Sequence, residues 1–238
     1  MAIDKCESEL AGQLGSQSIS PATGEWKHFS INSAGMKTVV LASRNAKKSA
    51  EIDELLSPYG IHVVSVQDFG NVPEVVEDGT TFAENAQKKA CQTARHVGHW
   101  TIGEDSGLCV DALGSAPGAY SARYNGATPD DEQNNDKLLE ALADVPDDRR
   151  QAGYVCHVAV SDPAGDVRLE VEAGCRGRIL RERRGTHGFG YDPLFLIPEL
   201  HRTFGELGPV VKRHIGHRAR AFGELIRRLG QLLGSDES

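Results

Sequence analysis

The sequence predicts an α/β fold, because short apolar runs alternate with segments of helical period and polar connections fall between them. Three stretches carry this reading. Thr38-Val-Val-Leu-Ala42 is followed by a polar loop and then by Ile52, Leu55, Leu56 and Tyr59, spaced as one face of a helix. Thr81 and Glu84 make a capping-box pattern ahead of a segment whose Phe82, Ala86, Ala90 and Val97 share a side. Two β-rich runs, Tyr154 to Ser161 and Val167 to Ala173, flank Asp162-Pro-Ala-Gly-Asp166 as in a hairpin.

Taken in order, residues 1 to 35 are rich in Gly and Ser and hold no period, so they read as a weakly structured extension. A main domain is expected over 36–234, with a tail over 235–238. The strand at Thr38 leads through Ser43-Arg44-Asn45-Ala46-Lys47-Lys48 into the first helix. A polar loop between a strand and a helix N-terminus suits phosphate, which backbone N–H groups and the helix dipole both favour. A plain capped helix fits the same residues, and the glycines of a P-loop are missing. Ile61 to Val66 is a second strand, and Pro73 to Asp78 an acidic loop. In the helix after Thr81, Asn85, Lys89 and Gln92 form a polar side, and Gly98 ends it. Lys88 is expected to pair with Glu84 four residues back. Lys89 has no acid at that spacing, which leaves it for a ligand.

The stretch Thr101 to Leu113 brings two adjacent carboxylates, Glu104 and Asp105, to Ser106-Gly107. It reads as a strand, a bend and a second extended segment. Such a pair can hold a hard cation against a phosphate, or it can be an acidic surface turn. Gly114 to Gly126 reads as a long ordered loop, and Thr128-Pro129 as a helix start above Leu138, Leu139, Leu142 and Val145. In Gly188-Phe189-Gly190-Tyr191-Asp192-Pro193, two glycines let the backbone approach a flat ligand on which Phe189 can stack. Phe222, Leu225, Ile226, Leu229 and Leu233 mark a closing helix. His217 and Arg218 stand at its N-terminal end, where a cation opposes the dipole and points to an anionic or keto-bearing neighbour.

Composition narrows the function. The chain has 238 residues and a formal charge of -8, which argues against a general nucleic-acid binder. Between Cys175 and Arg228 there are twelve Lys or Arg against five Asp or Glu, so a basic segment sits in an acidic protein. That suits a small polyanion that arrives with a metal ion. Five cysteines without a CxxC pair suggest reduced thiols in a cytoplasm. His96 and His99, and His214 and His217, lack an adjacent third ligand for zinc. No apolar run is long enough to span a bilayer.

Five segments in order resemble one family: Ser43 to Lys48, Thr81 to Ala86, Glu104 to Leu108, Gly188 to Pro193, and Gly216-His217-Arg218, with Pro-Gly-Ala-Tyr-Ser-Ala-Arg-Tyr124 between the third and fourth. Together they resemble the inosine/xanthosine triphosphate pyrophosphatases of the Ham1 type. The resemblance implies an elongated α/β fold with a long mixed central sheet flanked by helices, and two lobes with a cleft between them. It also implies a homodimer and Mg²⁺-dependent release of pyrophosphate from non-canonical purine nucleoside triphosphates. By the same resemblance, Ser43, Asn45, Lys48 and Lys89 are expected at the triphosphate, with Arg44 beside them. Asp105 and Glu77 are expected to hold Mg²⁺, with Asp105 also the proton acceptor and Glu74 an alternative to Glu77. Ser106 should touch the substrate, and Phe189, Gly190, Tyr191, Asp192, Lys212, His217 and Arg218 should enclose base and sugar.

Three motifs depart from the family pattern: Ser43-Arg44-Asn45 stands for Thr-Gly-Asn, Glu104 replaces an Asp, and Gly216 a Ser. They leave two other readings in view, a triphosphatase of broad specificity and a nucleotide sensor with impaired catalysis.

Overall fold

A computed structural model describes residues 37–234, with side chains as far as Leu229. The extension expected over residues 1 to 35, Leu233 as part of the closing helix face and the tail 235–238 fall outside what is described. Seven strands form one mixed sheet in the order β2-β1-β3-β4-β5-β6-β7. They are β1 (Lys37–Leu41), β2 (Ile61–Ser65), β3 (Thr101–Val110), β4 (Gln151–Ser161), β5 (Val167–Ile179), β6 (Phe195–Ile197) and β7 (Arg202–Thr203). β1 runs parallel to β2 and β3, and all the other pairings are antiparallel. The helices are α1 (Ala46–Leu56), α2 (Phe82–Val97), α3 (Asp131–Ala141), α4 (Phe204–Ile215) and α5 (His217–Gly234). The expected mixed sheet flanked by helices is present.

Several expectations are corrected. Glu104 to Gly107 do not bend: β3 is one strand of ten residues. Its glycines serve close approach instead of a turn. A Cβ on Gly103 would lie 2.0 Å from the Ala86 carbonyl oxygen, and one on Gly107 would lie 2.3 Å from Ser121 Oγ. The third helix starts at Asp131, not at Pro129, because Asp130 Oδ1 accepts from Gln133 N and supplies the cap. The loop 114–126 contains a 3₁₀ turn over Gly118–Arg123. Tyr59 leaves the helical face, because α1 ends at Leu56 and a 3₁₀ turn through Pro58 exposes it. β6, β7 and α4 were not legible: the strands span three and two residues, and Gly208 at φ 74° with Pro209 kinks the helix.

Two apolar clusters occupy different lengths of the sheet. One joins Leu41, Ile52 and Leu56 to Ile102, Val158, Val160, Phe222 and Leu225. The other joins Leu108, Val110, Leu138 and Tyr154 to Phe195 and Phe204. Each such fully buried large side chain stabilises the fold by roughly 1.5–3 kcal/mol. On β3, Glu104 to Gly107 lie between the two clusters, and the β1 partners of β3 are only Val40 and Leu41, opposite Thr101 and Ile102. The polar middle of β3 therefore faces the space just past the C-terminal end of a parallel strand, where α/β sheets place ligands.

Candidate active site

Alternation along β3 sends its two acids to opposite faces. On one face α2 lies close, because Ala86, Ala90 and Ala159 pack there against Gly103. That approach brings Asn85 and Lys89 down to Asp105. Lys89 Nζ is 3.0 Å from Asp105 Oδ1 and 3.1 Å from Glu77 Oε2, and Asn85 Nδ2 donates to Asp105 Oδ2 at 3.1 Å. Lys89 is thus not left for a ligand alone, since it already joins two carboxylates. Burial acts to lower its pKa, but Asp105, Glu77 and Glu104 outweigh it and keep it charged. Burial raises the Asp105 pKa; Lys89 and Lys48 oppose this, and Glu104 and Glu77 add to it.

On the other face Glu104 is 1% exposed. Lys48 Nζ from α1 donates to it at 2.9 Å, and Arg218 from α5 reaches it at 3.2 and 3.3 Å. Burial alone would raise the Glu104 pKa, but Lys48, Arg218 and Lys89 hold it well below the usual range. Arg218 also pairs with Glu51 and donates to Ser106 Oγ at 3.0 Å. The anion implied by a cation at the start of α5 is therefore supplied by the protein itself, through Glu104 and Glu51.

The phosphate-loop residues lie at the end of β1. Asn45 caps α1, and its Oδ1 already accepts from Lys47 N and Lys48 N. Of the two readings open for this loop, the capped helix is present, with the amides of Lys47 and Lys48 already satisfied. Ser43 Oγ accepts from Asn45 N at 3.2 Å, and Arg44 Nη2 donates to the Val72 carbonyl at 2.7 Å. Lys88 pairs with Asp78, not Glu84, because Glu84 is engaged by Thr80 and Thr81 in the capping box.

The glycine-aromatic loop is built around Asp192, which is fully buried. It accepts from Lys212 Nζ at 2.6 Å, Phe189 N at 3.0 Å and the Tyr154 hydroxyl at 3.3 Å. Gly188, at φ 78°, is needed there, because a Cβ would lie 2.0 Å from Asp192 Oδ2. Gly190 is held by Asp131 and Asn135, and the Tyr191 hydroxyl donates to the Ser121 carbonyl at 2.8 Å. Lys212 Nζ lies 4.4 Å from the centre of the Phe189 ring. His217 stacks on Tyr154 at 4.7 Å; its Nδ1 is buried with no hydrogen-bond partner. Burial, then Arg218 and Lys212, push the His217 pKa well down, so the ring is neutral near pH 7.

These groups surround one cavity of about 610 Å³. Its wall includes every sequence-predicted site residue: Ser43, Arg44, Asn45, Lys48, Glu77, Lys89, Asp105, Ser106, Phe189, Gly190, Tyr191, Asp192, Lys212, His217 and Arg218. Glu74 also lines it, but Glu77 is the acid that shares Lys89 with Asp105. Sequence reasoning missed Asn85, Glu51, Tyr154 and Arg123. Asn85 had a signal, since it lies one turn before Lys89 on the same polar side of that helix. The roles of Tyr154 and Glu51 arise from contacts with the distant His217 and Arg218, and no local pattern announces them.

A family model described as the Ham1 family matches residues 39–228. The chain belongs to the Ham1 family. A Ham1 relative from Rhodopirellula baltica, named dITP/XTP pyrophosphatase, is 52% identical over 203 residues, covering 85% of this chain and 98% of that protein. One of the same name from Desulforamulus reducens is 47% identical, covering 82% and 96%. A solved HAM1 protein from Coxiella burnetii is 40% identical with a TM-score of 0.75, covering 82% of this chain and 98% of its own. Among the described residues, no helix is long and apolar enough to cross a membrane.

Proposed function

We propose that this Ham1 protein hydrolyses non-canonical purine nucleoside triphosphates, namely ITP, dITP and XTP, to the monophosphate and pyrophosphate. The observation that carries the reading is one cavity whose wall brings together Asp105, paired with Lys89 and through it with Glu77, and Lys48 from a second helix. The names of the 52% and 47% identical relatives support the substrate class.

The donor set fits Mg²⁺. One ammonium bridges Asp105 and Glu77, so the two carboxylates are close enough to share one cation. Among the described residues no group of three His, Cys, Asp or Glu forms a complete protein cage. Mg²⁺ commonly takes one or two carboxylates and completes its shell from phosphates and water. When bound, it supplies neutralisation of phosphate charge. Asp105 orients a water and takes its proton as the water oxygen bonds to phosphorus. The bond to the pyrophosphate oxygen breaks, and pyrophosphate leaves. Lys89 and Lys48 balance the charge on both sides of β3. Phe189 stacks on the base, which lies near His217 Nδ1, a buried polar atom in need of a partner. Four N–H groups of Arg218 are engaged by Glu104, Glu51 and Ser106, which fixes this wall, and one Nη1 N–H has no partner among the described residues and is left for the substrate.

The protein works in the cytoplasm on free nucleotides, without nucleic acid or membrane, as a homodimer. Along one face of β5 run Glu170, Glu172, Gly174, Arg176 and Arg178, and a two-fold axis at Gly174 would set against each other acids and an arginine that within one chain pair with His157 and Asp111. Charge reversal of Glu172 to Arg should shift the sedimentation mass toward monomer; an unchanged dimer sinks that face. The function itself is tested by pyrophosphate release from ITP, XTP, GTP and ATP with and without Mg²⁺. ITP and XTP should exceed ATP by on the order of 10²-fold or more. Equal rates would mark a broad triphosphatase, and tight ITP binding without turnover would mark a sensor.

A further inference from the structure

Between Asn71 and Gly79 the chain follows the cavity rim with no helix or strand of its own. Pro73, Glu74, Val75 and Glu77 form that side of the wall. Glu74, Glu77 and Asp78 fall within five residues, so the segment repels itself and depends on outside contacts. Side chains from three other elements fix its backbone. Arg44 Nη2 donates to the Val72 carbonyl at 2.7 Å, Arg123 Nη2 donates to the Glu77 carbonyl at 2.6 Å, and Asn85 Oδ1 accepts from Gly79 N at 2.8 Å. Val72 is buried while Val76 is 70% exposed, so the segment is tacked down at intervals and bows outward between them. The contact at Glu77 is the one that matters for chemistry. Its main chain is held by Arg123 while its side chain reaches Lys89 and, through it, Asp105.

We infer that Arg44 and Arg123 are positioning residues: they hold the acidic segment so that the Glu77 carboxylate shares a cation with Asp105, and they thereby set the affinity for that cation. Arg44 links the phosphate loop to the acidic segment, so the two halves of the cavity wall move together. A guanidinium also leaves positive charge beside a run of acids, which lowers the cost of gathering them before any metal arrives.

The inference rests on the proposed pyrophosphatase reading only in its metal arm. Arg44→Gly and Arg123→Ala are compared with wild type in the full chain, with circular dichroism as the check on folding. In the absence of metal and nucleotide, hydrogen exchange at the Gly79 amide, the one amide of residues 72–79 held by a hydrogen bond among the described residues, should quicken on the order of 5-fold in each variant as the segment loosens. The Mg²⁺ concentration at half-maximal pyrophosphate release should rise on the order of 10-fold in both. For Arg123→Ala, which leaves the phosphate loop intact, the KM for ITP at saturating Mg²⁺ should stay within about 2-fold. Unchanged exchange in both variants overturns the inference. So does a rise in ITP KM for Arg44→Gly with no change in Mg²⁺ response, which would make Arg44 a direct phosphate ligand. If wild type releases no pyrophosphate from ITP, the function reading fails and the exchange result alone decides this one. If Arg44→Gly does not fold, Arg44→Gln takes its place under the same criteria.

Discussion

Glu104 and Asp105 are adjacent in the chain and lie on opposite faces of one sheet, in opposite electrostatic situations. Glu104 is enclosed by Lys48 and Arg218, with the Cys156 thiol at 3.5 Å, and its pKa is held far down. Asp105 shares one ammonium with Glu77, is steadied by the Asn85 amide, and its pKa is pushed up. One acid has more cations than it needs, and the other has fewer. The first is therefore a strut that fixes α1 and α5 against β3. The second, with affinity to spare for a proton or a metal, is the group we propose as the base. Residue type does not make this division; the helices packed on each face do.

The comparison breaks most decisively at Asp105. Asp105→Asn keeps the shape and the Asn85 contact while removing the proton acceptor. Its turnover of ITP should fall by about 10²–10⁴-fold, with the fold retained. A variant near wild-type rate would mean the acceptor lies elsewhere. Glu104→Gln should act on the other property. It leaves Lys48 and Arg218 facing a neutral group, and breaking such a buried pair costs about 3 kcal/mol. Thermal unfolding should show this as a drop of about 6–12 °C for a domain of this size. A Glu104→Gln protein that loses turnover but no stability would exchange the two roles.

The sequence made one of these two acids easier to read than the other. Asp105 and Lys48 lie in short segments that resemble family motifs, and Lys89 lies three residues past another, so their meeting at one cavity was expected. The roles of Glu51 and Tyr154 come from packing across more than 60 residues of chain, and nothing near them in sequence signals it. Glycine misled in one place. Gly107 after two acids suggested a bend, yet its missing side chain makes room for Ser121 beside a straight strand. The helices with clear caps and periodic faces, α1 and α2, were placed to within a few residues. α4 was not, because its own glycines and proline erase the period.

The smallest effect, and the one that sharpens the comparison, is in pH. A base must be ionised, so activity is present above the folded pKa of Asp105 and is lost as pH falls through it. Burial sets that value above 3.8. Glu104 has a folded pKa well below 4.5. Its stabilisation is therefore complete above 4.5 and is lost as pH falls through the depressed value. In the metal-free protein the signs place the two protonations in order: on acidification Asp105 takes its proton first, and the Glu104 contribution to the fold fails later. Lys89→Met removes the strongest charge opposing the rise at Asp105. The acid limb of kcat/KM should then move up by about 1 pH unit, while the acid unfolding midpoint, governed by the other face, moves less. Paired pH–rate and pH–unfolding curves measure both. If the two midpoints shifted together, the faces of β3 would be one electrostatic unit, and the separation of strut from base would be lost.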